Sequence, residues 1–284
     1  MNPRRTYLDG QWYPATAEKI GAEIQGWADY INQKPCPAGQ VAAVIVPHAG
    51  WCFSGKLAAR TLARAALNLK KPPDLTVVLG GHLPAGNQVV GYGEEAWATP
   101  LGPFLMDPAN NDRLGGSLKP FIWSGPTDDN TIEVLLPLVK YYFPRTKLWA
   151  LRVPPSETAV LLGRTLAALI QNSEEKILIV ASTDLTHYGR AYGFAPAGSG
   201  PEGEKFRQQN DRSFIEASLA LDTDLMLKTG RQNRAACSAG AAMAAVRAVS
   251  LLGGLGWEVD SYGSSDIMPG PQCVGYAGLE FTRP

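Results

Sequence analysis

Short apolar runs alternating with amphipathic segments constrain this chain more than any other feature of its sequence. Val41–Val46, Leu75–Leu79, Lys147–Val153 and Lys176–Ala181 are five to seven residues long and carry almost no polar interruption, as strands buried on both faces do. Between and before them lie segments with helical spacing. Glu18 to Ile31 carries Ile20, Ile24, Trp27 and Ile31; Lys56 to Leu69 is rich in Ala and Leu and ends before Pro72 and Pro73; Thr131 to Tyr142 is amphipathic despite Pro137; Thr158 to Gln171 completes the set. This order of strand and helix implies an α/β fold: a central, mostly parallel mixed sheet flanked by helices. Helices are also expected over Glu204 to Ala220 and Ser238 to Leu252, with closing strands over Trp257 to Tyr262 and Cys273 to Phe281. Gly91 to Pro108 reads as a hairpin or long loop. Tyr192 to Gly203 reads as an irregular surface loop, with a mobile lid as the alternative.

The chain has three histidines, and each closely follows one of the apolar runs: His48, His82 and His187. One histidine after a strand is ordinarily a loop residue. Three such placements from distant parts of the sequence point to one crevice, because open α/β sheets bind ligands beyond the carboxyl ends of their strands. A catalytic or metal site is the expectation.

Composition narrows the function classes. With 26 Lys and Arg against 26 Asp and Glu, no basic stripe suggests nucleic acid. Cys36, Cys52, Cys237 and Cys273 form no C-x-x-C pair, and the N-terminal MNPRRTYLDGQWYP lacks an apolar signal core, so a reduced, cytoplasmic protein is expected. The small-apolar stretch Ala235 to Trp257 is broken by Arg247, Gly253 and Gly254, which argues against a membrane span. All 284 residues are read as a single domain, 1–284.

Two motifs fail on inspection. Gly50 to Lys56 has the spacing of a phosphate-binding loop, but Leu57 stands where Ser or Thr must hold magnesium, and Trp51 and Phe53 are too bulky for close phosphate approach. Ser182, Asp184 and His187 contain the residue types of a hydrolytic triad but share one short segment, whereas a triad assembles from separate elements. Asp184 and His187 are better read as a carboxylate–imidazole pair, the acid orienting the ring or raising its basicity. Cys237, in RAACSAG before a helix, is either a buried small residue or a thiolate favoured by the helix N-terminus. If it meets His48 and His82, the donor set suits iron, copper or zinc.

The segments DGQWYPA, HAGWCFSG, LGGH, ATPLG, NTIEVLLP and STDLTHYGRAY resemble segments of the Memo-like proteins, also called AmmeMemoRadiSam system protein B, over about residues 5 to 280. The resemblance implies a fold similar to that of class III extradiol dioxygenases. It further implies His48, His82 and Cys237 as metal ligands, Asp184 and His187 as the groups beside them, and Trp12 at the pocket. Phe53 and Asn130 join that pocket as departures, since the family commonly has Tyr and His there, and Ser238 replaces the usual Gly. The expected function is a metal-dependent redox enzyme with Fe(II), or Cu or Zn in its place. It would be dioxygenase-like on a small aromatic substrate, with His187 as acid or base. Alternatives are a peptide- or protein-binding adaptor on the same scaffold and a metal-assisted hydrolase. The resemblance also implies a functional link to radical SAM and AMMECR-type proteins.

Overall fold

The computed structural model describes residues 3–31, 39–126, 129–268, 270 and 272–284; Cys36 lies outside them. In chain order the strands are β1 (Gln40–Val46), β2 (Leu75–Gly80), β3 (Val90–Tyr92), β4 (Ala96–Trp97), β5 (Phe104–Leu105), β6 (Phe121–Trp123), β7 (Lys147–Arg152), β8 (Ile177–Ser182), β9 (His187–Tyr188), β10 (Leu255–Gly263) and β11 (Cys273–Arg283). One sheet runs β10-β11-β1-β8-β2-β7-β3-β6, with β9 added to β11, while β4 and β5 form a separate hairpin. The four runs that open the sequence argument, β1, β8, β2 and β7, are mutually parallel and central. β10 and β11 are antiparallel additions, so the sheet is mixed.

Side chains alternate between two helical layers, as a period of two requires. Ile177, Ile179 and Ala181 face the core shared with Leu162, Leu166, Met243 and Val249, from the helices Glu157–Asn172 and Ala239–Leu251. Leu178 and Val180 face the opposite core, with Ile20, Leu62 and Val139 from the helices Ala17–Gly26, Lys56–Asn68 and Leu136–Tyr142. Burial on both faces explains why these runs lack a polar alternate.

Several expected boundaries shift. The first helix ends at Gly26 and resumes over Ala28–Ile31, with Trp27 as its C-cap. The segment 131–142 is two helices, Asn130–Glu133 and Leu136–Tyr142, because Pro137 sits in the first turn of the second, where its missing N–H costs nothing. Gly91 to Pro108 contains the expected hairpin, but its first residues belong to β3 in the main sheet. The loop expected through Gly203 ends earlier: a helix runs Pro201–Leu219, again with Pro at its start.

That helix carries a buried ion pair under the loop after β8. The Asp211 carboxylate accepts the Thr186 N–H at 2.9 Å and contacts the Arg207 guanidinium, both residues being buried. Glycine is required at position 275 opposite, since a Cβ there would collide with the carboxylate. Asp211→Ala is expected to cost about 3 kcal/mol of stability. That is the lower end of the range for leaving one buried partner unpaired, because Glu204 still contacts Arg207. Urea unfolding measures it, and a loss below 1 kcal/mol would show the pair to be dispensable.

Candidate metal centre

The parallel strands deliver the histidines to one edge. β1 ends at Val46, β2 at Gly80 and β8 at Ser182, placing His48, His82 and the segment from Asp184 to His187 beyond the same carboxyl end of the sheet. Cys237 approaches from the loop that enters the helix Ala239–Leu251, its N–H bonded to the Asp184 carbonyl at 3.1 Å. The nitrogens of His48 and His82 and the sulfur of Cys237 all lie within 4.8 Å of one another.

Hydrogen bonds fix how these groups present themselves. The Ser182 hydroxyl donates to the Thr131 carbonyl, so at 2.7 Å it accepts from His48 Nδ1–H. That assigns the tautomer and leaves the His48 Nε2 lone pair facing the cluster, 3.1 Å from His82 Nε2 and 3.3 Å from Cys237 Sγ. Asp184 accepts the His48 backbone N–H at 2.7 Å, and Asn130 donates to the His48 carbonyl at 3.0 Å. His82 is held through its backbone N–H by Asp129, at 3.1 Å. Burial opposes the Asp129 charge, yet hydrogen bonds from Thr131 and the nearby His82 hold its carboxyl below the usual range.

The two separations from His48 Nε2 suit a shared ion. Bonds of about 2.0–2.1 Å to nitrogen and 2.3 Å to sulfur put neighbouring donor atoms roughly 2.9–3.6 Å apart, for angles between 90° and tetrahedral. The two measured separations fall in that interval. Burial pushes His48 down to about 4, the Asp184 carboxylate opposing, so its imidazole is a neutral donor at neutral pH. Burial, reinforced by Asp184, pushes the Cys237 thiol up to about 12. Of the two readings open for Cys237, burial therefore prevails over a helix-favoured thiolate while no cation is bound. A cation reverses this balance, because a coordinating thiol is deprotonated outright. Metal uptake near pH 8 should therefore release about one proton per ion, and affinity should rise about tenfold per pH unit between pH 7.5 and 9. Cys237→Ala should flatten that slope. Titration in weak buffer with a pH electrode checks it, and an equal slope in both proteins would remove Cys237 from the ligand set.

His48 and His82 line a cleft of about 420 Å³, together with Trp12, Phe53, Asn130 and His187. Trp12 arrives on an N-terminal arm pinned by one buried carboxylate oxygen: Glu133 Oε1 accepts from Tyr7 N–H and Leu8 N–H, each at 2.8 Å, and from the Tyr13 hydroxyl at 3.0 Å. The expected Asp184–His187 pair is not made. Asp184 bonds His48, while His187 Nδ1–H donates to the Leu185 carbonyl at 3.1 Å, leaving Nε2 as the ring's acceptor. The His187 ring meets Tyr192 edge-on, with centroids 5.0 Å apart. Ser182 and Asp129, which orient the two histidines, were not singled out as site residues. Ser182 lies in the S-x-D-x-x-H segment, and Asp129 is signalled only as the N-cap of the helix Asn130–Glu133.

Fold and site together define an α/β protein with a candidate nitrogen–sulfur metal centre at the carboxyl edge of its sheet. The chain belongs to the Memo-like protein family, whose model matches residues 4–280. It is 29% identical to a MEMO1 family protein of Methanosarcina acetivorans, over 98% of this chain and 99% of that one. Identity is also 29% with MEMO1 family protein MK0963 of Methanopyrus kandleri, over 99% of each. The crystal structure of uncharacterized protein JW3007 from Escherichia coli K12 is similar, with a TM-score of 0.52 over 84% of this chain and 99% of that chain. At 14% identity that likeness speaks for the fold alone.

Proposed function

We propose that this Memo-like protein is a metal-dependent redox enzyme. Its non-haem Fe(II), or Cu in its place, would be held by His48, His82 and Cys237, with Zn at the same donors suiting only the hydrolase alternative, and its substrate would be a small, aromatic molecule. The observation that carries the reading is the convergence of two imidazoles and one thiol within 4.8 Å, with both imidazoles lining a cleft. Three protein donors would leave coordination positions open for dioxygen and substrate. The chain's own contribution is positional. Ser182 fixes the His48 tautomer, Asp129 holds the His82 backbone, and Trp12 and Phe53 offer aromatic surface to a planar substrate. His187, with Nδ1–H committed to a carbonyl, can take a proton from a substrate hydroxyl at Nε2 and return it.

Among the described residues no helix is long and apolar enough to cross a membrane. The test is anaerobic purification followed by elemental analysis, then oxygen consumption with a panel of aromatic diols. About one iron per chain with substrate-dependent oxygen uptake is the expected result. Ester or amide turnover without oxygen uptake would establish the hydrolase alternative, and peptide affinity without turnover the adaptor.

A further inference from the structure

A second cleft, of about 360 Å³, reaches the metal donors from the other side of His187 and Tyr192, both of which line it together with His82 and Cys237. Its wall contributes one formal charge, the guanidinium of Arg234, and no carboxylate. Arg234 is exposed, unlike the buried arginines of this chain, and differs from them in its partners. Arg4, Arg60, Arg152 and Arg207 each pair with an acid, whereas among the described residues no carboxylate lies within ion-pairing distance of Arg234. Its partners are neutral: one terminal nitrogen donates to the Gly193 carbonyl and the other to the Tyr192 carbonyl, each at 3.0 Å, and the guanidinium carbon lies 4.8 Å from the Phe194 ring centroid.

Those contacts orient the group without neutralising it. Two carbonyls use two of its five N–H donors, so three remain for a ligand. The backbone at Arg234 is left-handed, φ 53°, a strained conformation for a residue with a side chain, and one that persists where surrounding contacts impose it. A fixed guanidinium that keeps its whole charge, in a cleft without acids, is built to receive an anionic oxygen group.

We propose that this second cleft is an anion subsite, with Arg234 its specificity-determining residue, and that it takes a carboxylate or phosphate group carried by the substrate. The inference deepens the proposed function and rests on it only in calling the ligand a substrate. Arg234 would hold the anionic group while the rest of the molecule lies against the donor cluster between His82 and His187.

The test uses the metal-free protein, so that the donor cluster does not contribute. Benzoate, phenyl phosphate and the neutral analogue benzamide are titrated by calorimetry into wild type, Arg234→Lys, Arg234→Ala and, as a surface control, Arg190→Ala. Benzoate or phenyl phosphate should bind wild type about ten- to a hundredfold more tightly than benzamide, the span expected for hydrogen bonds to a charged group. Whichever anion binds more tightly identifies the group. Arg234→Ala should fall to the benzamide level, Arg234→Lys should keep part of the preference, and Arg190→Ala should keep all of it. Equal affinity for benzamide, no binding of any probe, or full anion affinity in Arg234→Ala would overturn the subsite. A separate metal titration of wild type reports on His48, His82 and Cys237, so a protein that binds benzoate but no metal would sink the redox reading and leave the subsite standing.

Discussion

Alanine at His48 or at His82 is expected to abolish stoichiometric metal binding while leaving a folded protein. Each imidazole supplies one of three donors, so its loss leaves two, too few for a tight site of this kind. The fold should survive because both residues lie beyond their strands, and the backbone of each is anchored independently of its ring. His48 is held by Asp184 and Asn130, and His82 by Asp129. His48→Ala should destabilise more than His82→Ala, since the His48 ring is buried and satisfies Ser182 whereas His82 is exposed. Elemental analysis and circular dichroism of the purified variants check both halves. Full metal occupancy in both would remove the site.

His187→Ala separates binding from proton transfer. His187 lies in the cleft but outside the donor cluster, so the variant should keep most of its metal. Turnover should fall by about 10²–10⁴-fold, the range for removing a positioned acid or base. Oxygen consumption at matched metal content measures it. Loss of metal equal to that of His48→Ala would make His187 a ligand, and unchanged turnover would assign its role elsewhere. Because Nδ1 faces the Leu185 carbonyl, the proton must pass through Nε2, and Asp184→Asn should change activity through His48 rather than through His187.

The central strands and their helices were legible because burial on both faces leaves an uninterrupted apolar run, and a strand end is a place where a histidine is conspicuous. Strand ends made His48 and His82 legible as candidate donors, while Cys237 stood out only by its place before a helix and by the family resemblance. β3 and β6 were not. Each is three residues long, β6 lies at the sheet's edge with β3 next to it, and half-exposed residues such as Phe121 and Ile122 leave no period to read. The partner of Asp184 was misread because His187 is three residues away in sequence, while the chain turns the carboxylate toward a backbone N–H 136 residues away. Arg234 carries no local signal at all. Its backbone is left-handed and its side chain bonds a loop more than 40 residues earlier, and no pattern of residue types encodes either.

The last strand is an inner one. β11 lies between β10 and β1, with Gln40 opposite Arg283, and at its other end Val274 pairs with His187. During synthesis, then, His48 and His82 have long left the ribosome before the strand that seats His187 exists. A nascent or truncated chain ending before residue 273 would hold the apolar edge of β1 open to other chains while already carrying its metal donors. Such a chain would carry the candidate donors without the strand that seats His187, so pairing of β11 is the step that completes the site.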